Sequence, residues 1–247
     1  MELLCFIGKR GVGALEIKPS LRSESSASSN LELDSLVSIA NKILNSRESF
    51  QTDLSQEEEE ALADILKIGT SAGGARAKAV IAYNPKTGEV KSGQVKAPKG
   101  FTYWLIKFDG VTDSQFGASV GYGRVEMAYY LMAKEAGIEM NDSRLLEENG
   151  RAHFMTKRFD RTDTGDKIHM QSLCGMRHFD FNQVGVYSYE QIFETMRMLR
   201  LSYPEAEQLF IRMVFNVLAR NCDDHTKNFA FLMDQSGKWT LSPAYDI

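Results

Sequence analysis

A chain of 247 residues, 43% hydrophobic and 25% charged, holds enough apolar content for a sizeable core, as one large domain or as two lobes. Its 29 basic and 33 acidic residues leave a formal charge of −4, which argues against a general nucleic-acid binder. Three cysteines without metal-ligand spacing (Cys5, Cys174, Cys222), and no apolar run near the roughly 18 residues of a membrane span, imply a reduced, cytoplasmic protein.

In chain order, "LLCFIG" and "GALEI" read as two short strands across "KRGV". No signal peptide is read in "MELLCFIG", because an acidic residue precedes the apolar run and "GKR" interrupts it. The serine-rich "PSLRSESSASSN" is a polar loop, and Asn30 is placed to cap a helix through "LELDSLVSIANKIL". A second helix is predicted over "SQEEEEALADILKI", whose Glu57–Glu60 run suits a solvated helix start. After the glycine-rich "GTSAGGARAK" come strands "KAVIAY" and "EVKSGQV" across "NPKTG", then "FTYWLIKF". The helix "YGRVEMAYYLMAKEAG" closes on Gly137. "RLLEE" and "AHFMTKRF" pair across "NGR", and from Tyr187 two helices follow, the second with Pro204 in its first turn. A strand-rich first part, a connector near Lys157–Arg161 and a helical second part predict an α+β chain of two lobes with a cleft between them.

The C-terminal segment carries the densest chemistry. After Asn221 the apolar helix stops at "CDDHTKN"; the strand "FAFLM", the turn "DQSGK" and "WTL" then return the chain toward "SPAYD". A hairpin of this length brings Asp246 near Asn228 and one of the paired aspartates, an oxygen-rich site suited to Mg²⁺. Protein kinases place an Asn five residues after a catalytic-loop Asp, and a further Asp beyond a hairpin. Asp223, Asn228 and Asp246 fit that spacing, with Asp223 accepting the substrate hydroxyl proton and Asn228 and Asp246 holding metal. Asp224, four residues before Asn228, points elsewhere. His225 fits a packing role as well as a catalytic one, and each Asp and Asn taken singly is also a common turn or cap former.

Two further features point toward phosphates. The loop "GTSAGGARAK" has the composition that lets backbone N–H groups approach phosphate, although a flexible linker has the same composition, and it is not a Walker A loop. Lys107 ends a largely apolar strand, where an ammonium needs a partner such as a phosphate or Glu126 on the next helix. The alternative is a lysine reaching solvent from a strand edge.

Together "GVGALEIKP", "SAGGARAKAV", "LIKF", "KRFDR", "KIHMQSLCGM", "NCDDHTKNF" and "LSPAYDI" resemble the HipA family of serine/threonine kinases, toxins of bacterial toxin–antitoxin pairs. The resemblance implies a protein-kinase-like fold. Residues 1–20 would be the remnant of an N-terminal subdomain, 21–157 the N-lobe, and 158–247 the connector and C-lobe. It implies a nucleotide loop of Gly73, Gly74, Ala75, Arg76, Ala77 and Lys78, with Lys107 on the phosphates. The connector Lys157, Arg158 and Phe159 would hold adenine by its backbone, so that Lys157 is tolerated where the family has an acidic residue. Asp223 would be the catalytic base and His225, Thr226, Lys227 and Asn228 a nucleotide and metal segment. Tyr245 would contact ATP, Asp246 would hold Mg²⁺, and Ser71 would be an inactivating autophosphorylation site, with Thr70 the neighbouring alternative.

Implied partners are a helix–turn–helix antitoxin of the HipB type, through which DNA is contacted, and a protein substrate such as an aminoacyl-tRNA synthetase. The family carries a strand-rich subdomain before "GALEIKP" and a helical region after Asp246. The C-terminal lobe is therefore expected to be incomplete, and either the chain begins late or a separate small protein supplies the N-terminal piece. Two other readings are a metal-dependent phosphoesterase using "DDH" and a non-catalytic nucleotide-binding regulator.

Overall fold

The computed structural model describes residues 2–20, 31–45, 66, 76–113, 117, 118, 120–183 and 185–247. Strands β1 (Lys78–Tyr83) and β3 (Thr102–Lys107) are rich in β-branched and aromatic residues, and β2 (Val90–Ser92), β6 (Ser143–Glu148) and β7 (Arg151–Lys157) join them. These five form one antiparallel sheet in the order β2-β1-β3-β7-β6, while β4 (Thr112–Asp113) and β5 (Gly117–Ala118) pair separately. The β6–β7 turn uses Asn149 and Gly150, both at positive φ (46° and 78°), the conformation a two-residue hairpin needs.

The two-residue period of the strands divides this sheet into a core face and a cleft face. Ala79, Ile81, Trp104, Ile106 and Met155 point to one side and pack with Leu36, Val37, Ile39 and Ala40 of α2 (Leu33–Asn45). Val80, Leu105, Phe154 and Thr156 point to the other side, toward a cavity, with Lys78 and Lys107. Helix α3 (Tyr122–Glu135) lies close to this sheet because Gly123 in its first turn meets the Ala152 carbonyl where a Cβ would overlap it. Asp109 fixes its start, accepting the amide of Gly121 at 2.9 Å and that of Ala152 at 3.3 Å.

The second part is built on α4 (Leu173–Arg177), α5 (Tyr189–Met198) and α6 (Tyr203–Leu218). Capping boxes Ser188/Gln191 and Ser202/Glu205 start α5 and α6, and Pro204 sits in the first turn of α6 as expected. Leu173, Ile192, Met196, Leu209, Phe229 and Phe231 form its main core. A smaller cluster of Ala133, Ile138, Phe215 and Ala244 joins α3 to α6. The expected hairpin is β9 (Ala230–Met233) with β10 (Trp239–Leu241). It is extended to three strands by β8 (His169–Ser172), whose polar sequence conceals a strand.

Several expectations change. "LLCFIG" is not a strand but part of helix α1 (Glu2–Ile7), and "GALEI" forms no strand either. Among the described residues no neighbouring strand pairs with this segment. Instead the Arg10 guanidinium donates to the Phe6 and Ile7 carbonyls at the end of α1, and the residues beyond it bond to side chains of the connector. "EVKSGQV" yields only the three-residue β2. Asn30 and most of "SQEEEEALADILKI" lie outside the described residues; Leu66 of that segment is helical and buried in the sheet core.

Candidate active site

Lys107 is not at a sheet edge: β3 is the central strand, and the Lys107 side chain is only 14% exposed. Its Nζ lies 2.7 Å from Glu126 Oε2 on α3 and 2.5 Å from Asp246 Oδ1. Burial disfavours the ammonium, but the two carboxylates outweigh it and push the Lys107 pKa up. Lys107 in turn holds the Asp246 carboxyl down to about 2, against the opposing effect of burial. Lys78 stands opposite Lys107 across the β1–β3 register, and burial followed by the neighbouring Lys107 charge lowers its pKa.

The loop after α6 brings the predicted acid, amide and base together. Arg220 takes a positive φ of 56°, and the Asn221 amide bonds back to the Asn216 carbonyl at 2.9 Å, ending the helix. Asn221 Oδ1 accepts the Asp223 amide at 3.1 Å, and Asp223 O accepts the His225 amide at 2.9 Å. Asn228 Nδ2 then donates to the backbone carbonyls of Asp223, at 2.8 Å, and Asp246, at 3.2 Å. One amide nitrogen thus staples both ends of the hairpin, while Oδ1 of the same side chain remains as an acceptor. The Asp246 carboxylate and the amide oxygen of Asn228, whose Nδ2 reaches the Asp246 carbonyl, are hard oxygen donors of the kind Mg²⁺ takes, so the residues present fit the metal.

The Asp223 carboxylate is 87% exposed, a reachable proton acceptor on the cleft wall. Asp224 points away, as expected, and accepts the Tyr189 hydroxyl at 2.8 Å. His225 packs edge-on against Phe181, with Nε2 3.8 Å from Asp223 Oδ1. Its Nδ1 is buried and has no hydrogen-bond partner among the described residues.

The segment leading to Asp246 is held from α6. Glu205 Oε1 accepts the Leu241 amide at 2.8 Å, and Arg212 donates to the Ser242 carbonyl at 2.8 Å. Arg212 is 3% exposed, and burial lowers its pKa to about 10.

Lys78, Lys107, Glu126, Asp223, Asn228 and Asp246 share one cavity of about 740 Å³, within the usual range for small-molecule sites. Of the other residues singled out in the sequence, Arg76, Lys157, Arg158, Phe159, Lys227 and Tyr245 also line it. Phe159 and Tyr245 meet ring to ring at 5.4 Å, and the Tyr245 hydroxyl donates to the Lys227 carbonyl at 2.6 Å. Lys157 pairs with Asp163 at 2.8 Å, and the Arg158 amide bonds to Tyr103 O at 2.9 Å. Ala77 and Thr226 do not face the cavity. Ala77 packs against the sheet core, and the buried Thr226 offers its carbonyl to the Cys174 amide at 3.0 Å. Ser71, Gly73, Gly74 and Ala75 lie outside the described residues.

Val12 and Met170 also line the cavity and were missed. Val12 comes from a distant segment with no local pattern. Met170 lies in β8, inside "KIHMQSLCGM", a run that reads as resemblance without a role. The three-ligand metal cluster a phosphoesterase would need does not form: among the described residues no group of three His, Cys, Asp or Glu side chains gathers.

Comparison with known proteins agrees with this geometry. A family model described as "HipA-like C-terminal domain" matches residues 70–247. A Haemophilus influenzae protein named "Putative kinase" is 25% identical over 135 residues, covering 49% of this chain and 39% of its own length. The Sinorhizobium fredii protein named "Putative kinase Y4mE" is 23% identical over 173 residues, 66% of this chain and 37% of that protein. The structure of a HipA, HipB and operator DNA complex from Shewanella oneidensis MR-1 superposes with a TM-score of 0.66 at 18% identity. That match covers 99% of this chain and 56% of the solved one, and places the chain in the HipA kinase-like fold. The chain thus spans well under half the length of the curated relatives it matches.

Proposed function

The chain belongs to the HipA-like C-terminal domain family, and from that premise we propose that it is the catalytic part of an ATP- and Mg²⁺-dependent serine/threonine protein kinase. The observation that carries this reading is the Asn228 amide joining the Asp223 and Asp246 carbonyls on the wall of the cavity that also holds Lys107. Mg·ATP, when bound, supplies the transferable phosphoryl group and the charge neutralisation that its transfer requires. Asp246 and Asn228 Oδ1 would hold the metal, and Lys107 and Lys78 would meet the phosphates. Phe159, Tyr245 and the connector backbone would receive the base. Asp223 would take the proton from the attacking serine or threonine hydroxyl, and its exposure leaves room for that chain.

Purified protein incubated with radiolabelled ATP and Mg²⁺ should label itself or an added protein. Asp223→Ala should abolish labelling while ATP binding persists, and undiminished labelling by that variant would remove Asp223 from its role. Mass spectrometry of the labelled protein tests the finer proposal that Ser71 is phosphorylated, placing about two negative charges beside the phosphate site.

By the same reading the partners are a HipB-type helix–turn–helix antitoxin, with DNA contacted through it, and a protein substrate such as an aminoacyl-tRNA synthetase. The solved HipA neighbour is complexed with HipB and operator DNA, which supports the antitoxin in particular. The division into residues 1–20, 21–157 and 158–247 stands as part of the proposal.

A further inference from the structure

Residues 9–16 precede the stretch matched by the family model, yet they are fastened to the connector beside the cavity. The buried Asp160 carboxylate accepts the Gly13 amide at 2.7 Å through Oδ2. It also accepts Arg158 Nε at 2.7 Å through Oδ1 and an Arg158 terminal nitrogen at 2.6 Å through Oδ2. Arg161 donates to Asp160 Oδ2 at 3.0 Å and reaches across to the carbonyls of Gly13 and Gly11, each at 3.0 Å. Lys167 adds bonds to the Lys9 carbonyl at 2.9 Å and to Glu16 at 2.8 Å. The fit is close: Gly13 has a φ of +74°, and a Cβ there would come within 3.1 Å of the Met170 carbonyl.

We propose that Asp160 and Arg161 are positioning residues: they clasp Gly11–Gly13 to the connector and thereby set the base end of the nucleotide cavity, Asp160 from the cavity wall and Arg161 from behind it. The clasp sits one residue beyond Phe159, and the segment it holds contributes Val12 to the cavity wall beside Met170. Charge arithmetic separates the two arginines. Two guanidiniums share one carboxylate, so one buried cation is in excess, offset among the described residues by the Gly11, Gly13 and Asp160 carbonyls and by Tyr103. Arg161 therefore anchors the N-terminal segment, while Arg158 and Asp160 make a balanced pair without it. The inference rests on the nucleotide-site reading above.

Arg161→Gln removes the anchor and leaves the balanced pair, so the fold should survive. The variant should bind ATP about tenfold more weakly than the wild-type protein and bind tripolyphosphate, which has no base, with unchanged affinity; Arg161→Lys should recover part of the loss. Equal loss for both ligands, or none for ATP, would overturn the clasp. Wild-type protein that binds neither ligand would instead sink the nucleotide-site reading. Hydrogen exchange of the wild-type protein gives a check that needs no variant. ATP should slow exchange at the Gly13 amide several-fold, and unchanged exchange there would also overturn the proposal.

Discussion

Lys107 and Asp246 meet at 2.5 Å across 139 residues of chain, joining the central strand of the sheet to the end of the C-terminal hairpin. The same ammonium holds Glu126, so two carboxylates depend on one cation. Lys107→Met should remove the cation that both carboxylates contact and leave them to the more distant Lys78. ATP affinity measured by calorimetry should fall at least about tenfold, as for loss of a charged hydrogen bond. Lys107→Arg should restore little, because a planar guanidinium does not reproduce a point charge shared by two acids. Full affinity in Lys107→Met would remove the lysine from the phosphate site.

The paired aspartates should separate cleanly in kinetics. Asp223 faces the cleft, whereas Asp224 accepts the Tyr189 hydroxyl, which also takes a bond from Asn216 Nδ2 at 2.9 Å. Loss of a general base costs about 10²–10⁴ in rate, so Asp223→Ala should show that loss in turnover. Asp224→Asn keeps an acceptor for Tyr189 and should stay within about threefold of wild type. Reversed effects would exchange the two assignments.

Arg212 offers a test of positioning against stability. Its Nε has no hydrogen-bond partner among the described residues, and a buried cation so poorly compensated adds little to folding. Arg212→Met should therefore hold the melting temperature near its wild-type value. Affinity for Mg·ATP should drop several-fold, because the Ser242 carbonyl loses the bond that steadies the approach to Asp246. A collapse in melting temperature with binding intact would reverse this account.

His153 makes the first part sensitive to acid. Its ring is fully buried, with Nδ1 accepting the Asp109 amide at 2.9 Å and Nε2 3.0 Å from Glu148. Burial lowers its pKa below the ordinary 6.5, more than Glu148 raises it. Below pH about 6.5 the unfolded chain binds a proton that the folded one resists, so this stability is complete above that pH and lost as pH falls. Each tenfold depression corresponds to about 1.4 kcal/mol, or about 3–6 °C in melting temperature for a domain of this size. His153→Asn, which retains an acceptor near Nδ1, should flatten the decline between pH 7.5 and 5.5; an equal decline in the variant would clear His153.

The arrangement of the candidate site was legible in the sequence where spacing determines it. Asp223, Asn228 and Asp246 follow a pattern that a hairpin closes on itself, and Lys107 betrayed itself as a cation ending an apolar strand. The Asp160 clasp was not legible. Gly13 and Asp160 stand 147 residues apart, and neither helix nor strand periodicity encodes a carboxylate reaching a backbone amide in a loop. β8 was missed for a related reason: its residues are all half-buried, so the two-residue alternation that marks a strand never develops. The N-terminal helix was misread because six apolar and acidic residues fit either element, and the deciding interaction is Arg10 folding back on Phe6.

The facing lysines of β1 and β3 carry one more implication. Glu126 and Asp246 balance these two charges in the empty protein, so phosphate or sulfate from a buffer must displace a carboxylate from Lys107 to bind there, as a nucleotide must. Nucleotide affinities measured in such buffers would then report a competition, and they would rise as the competing anion is dialysed away.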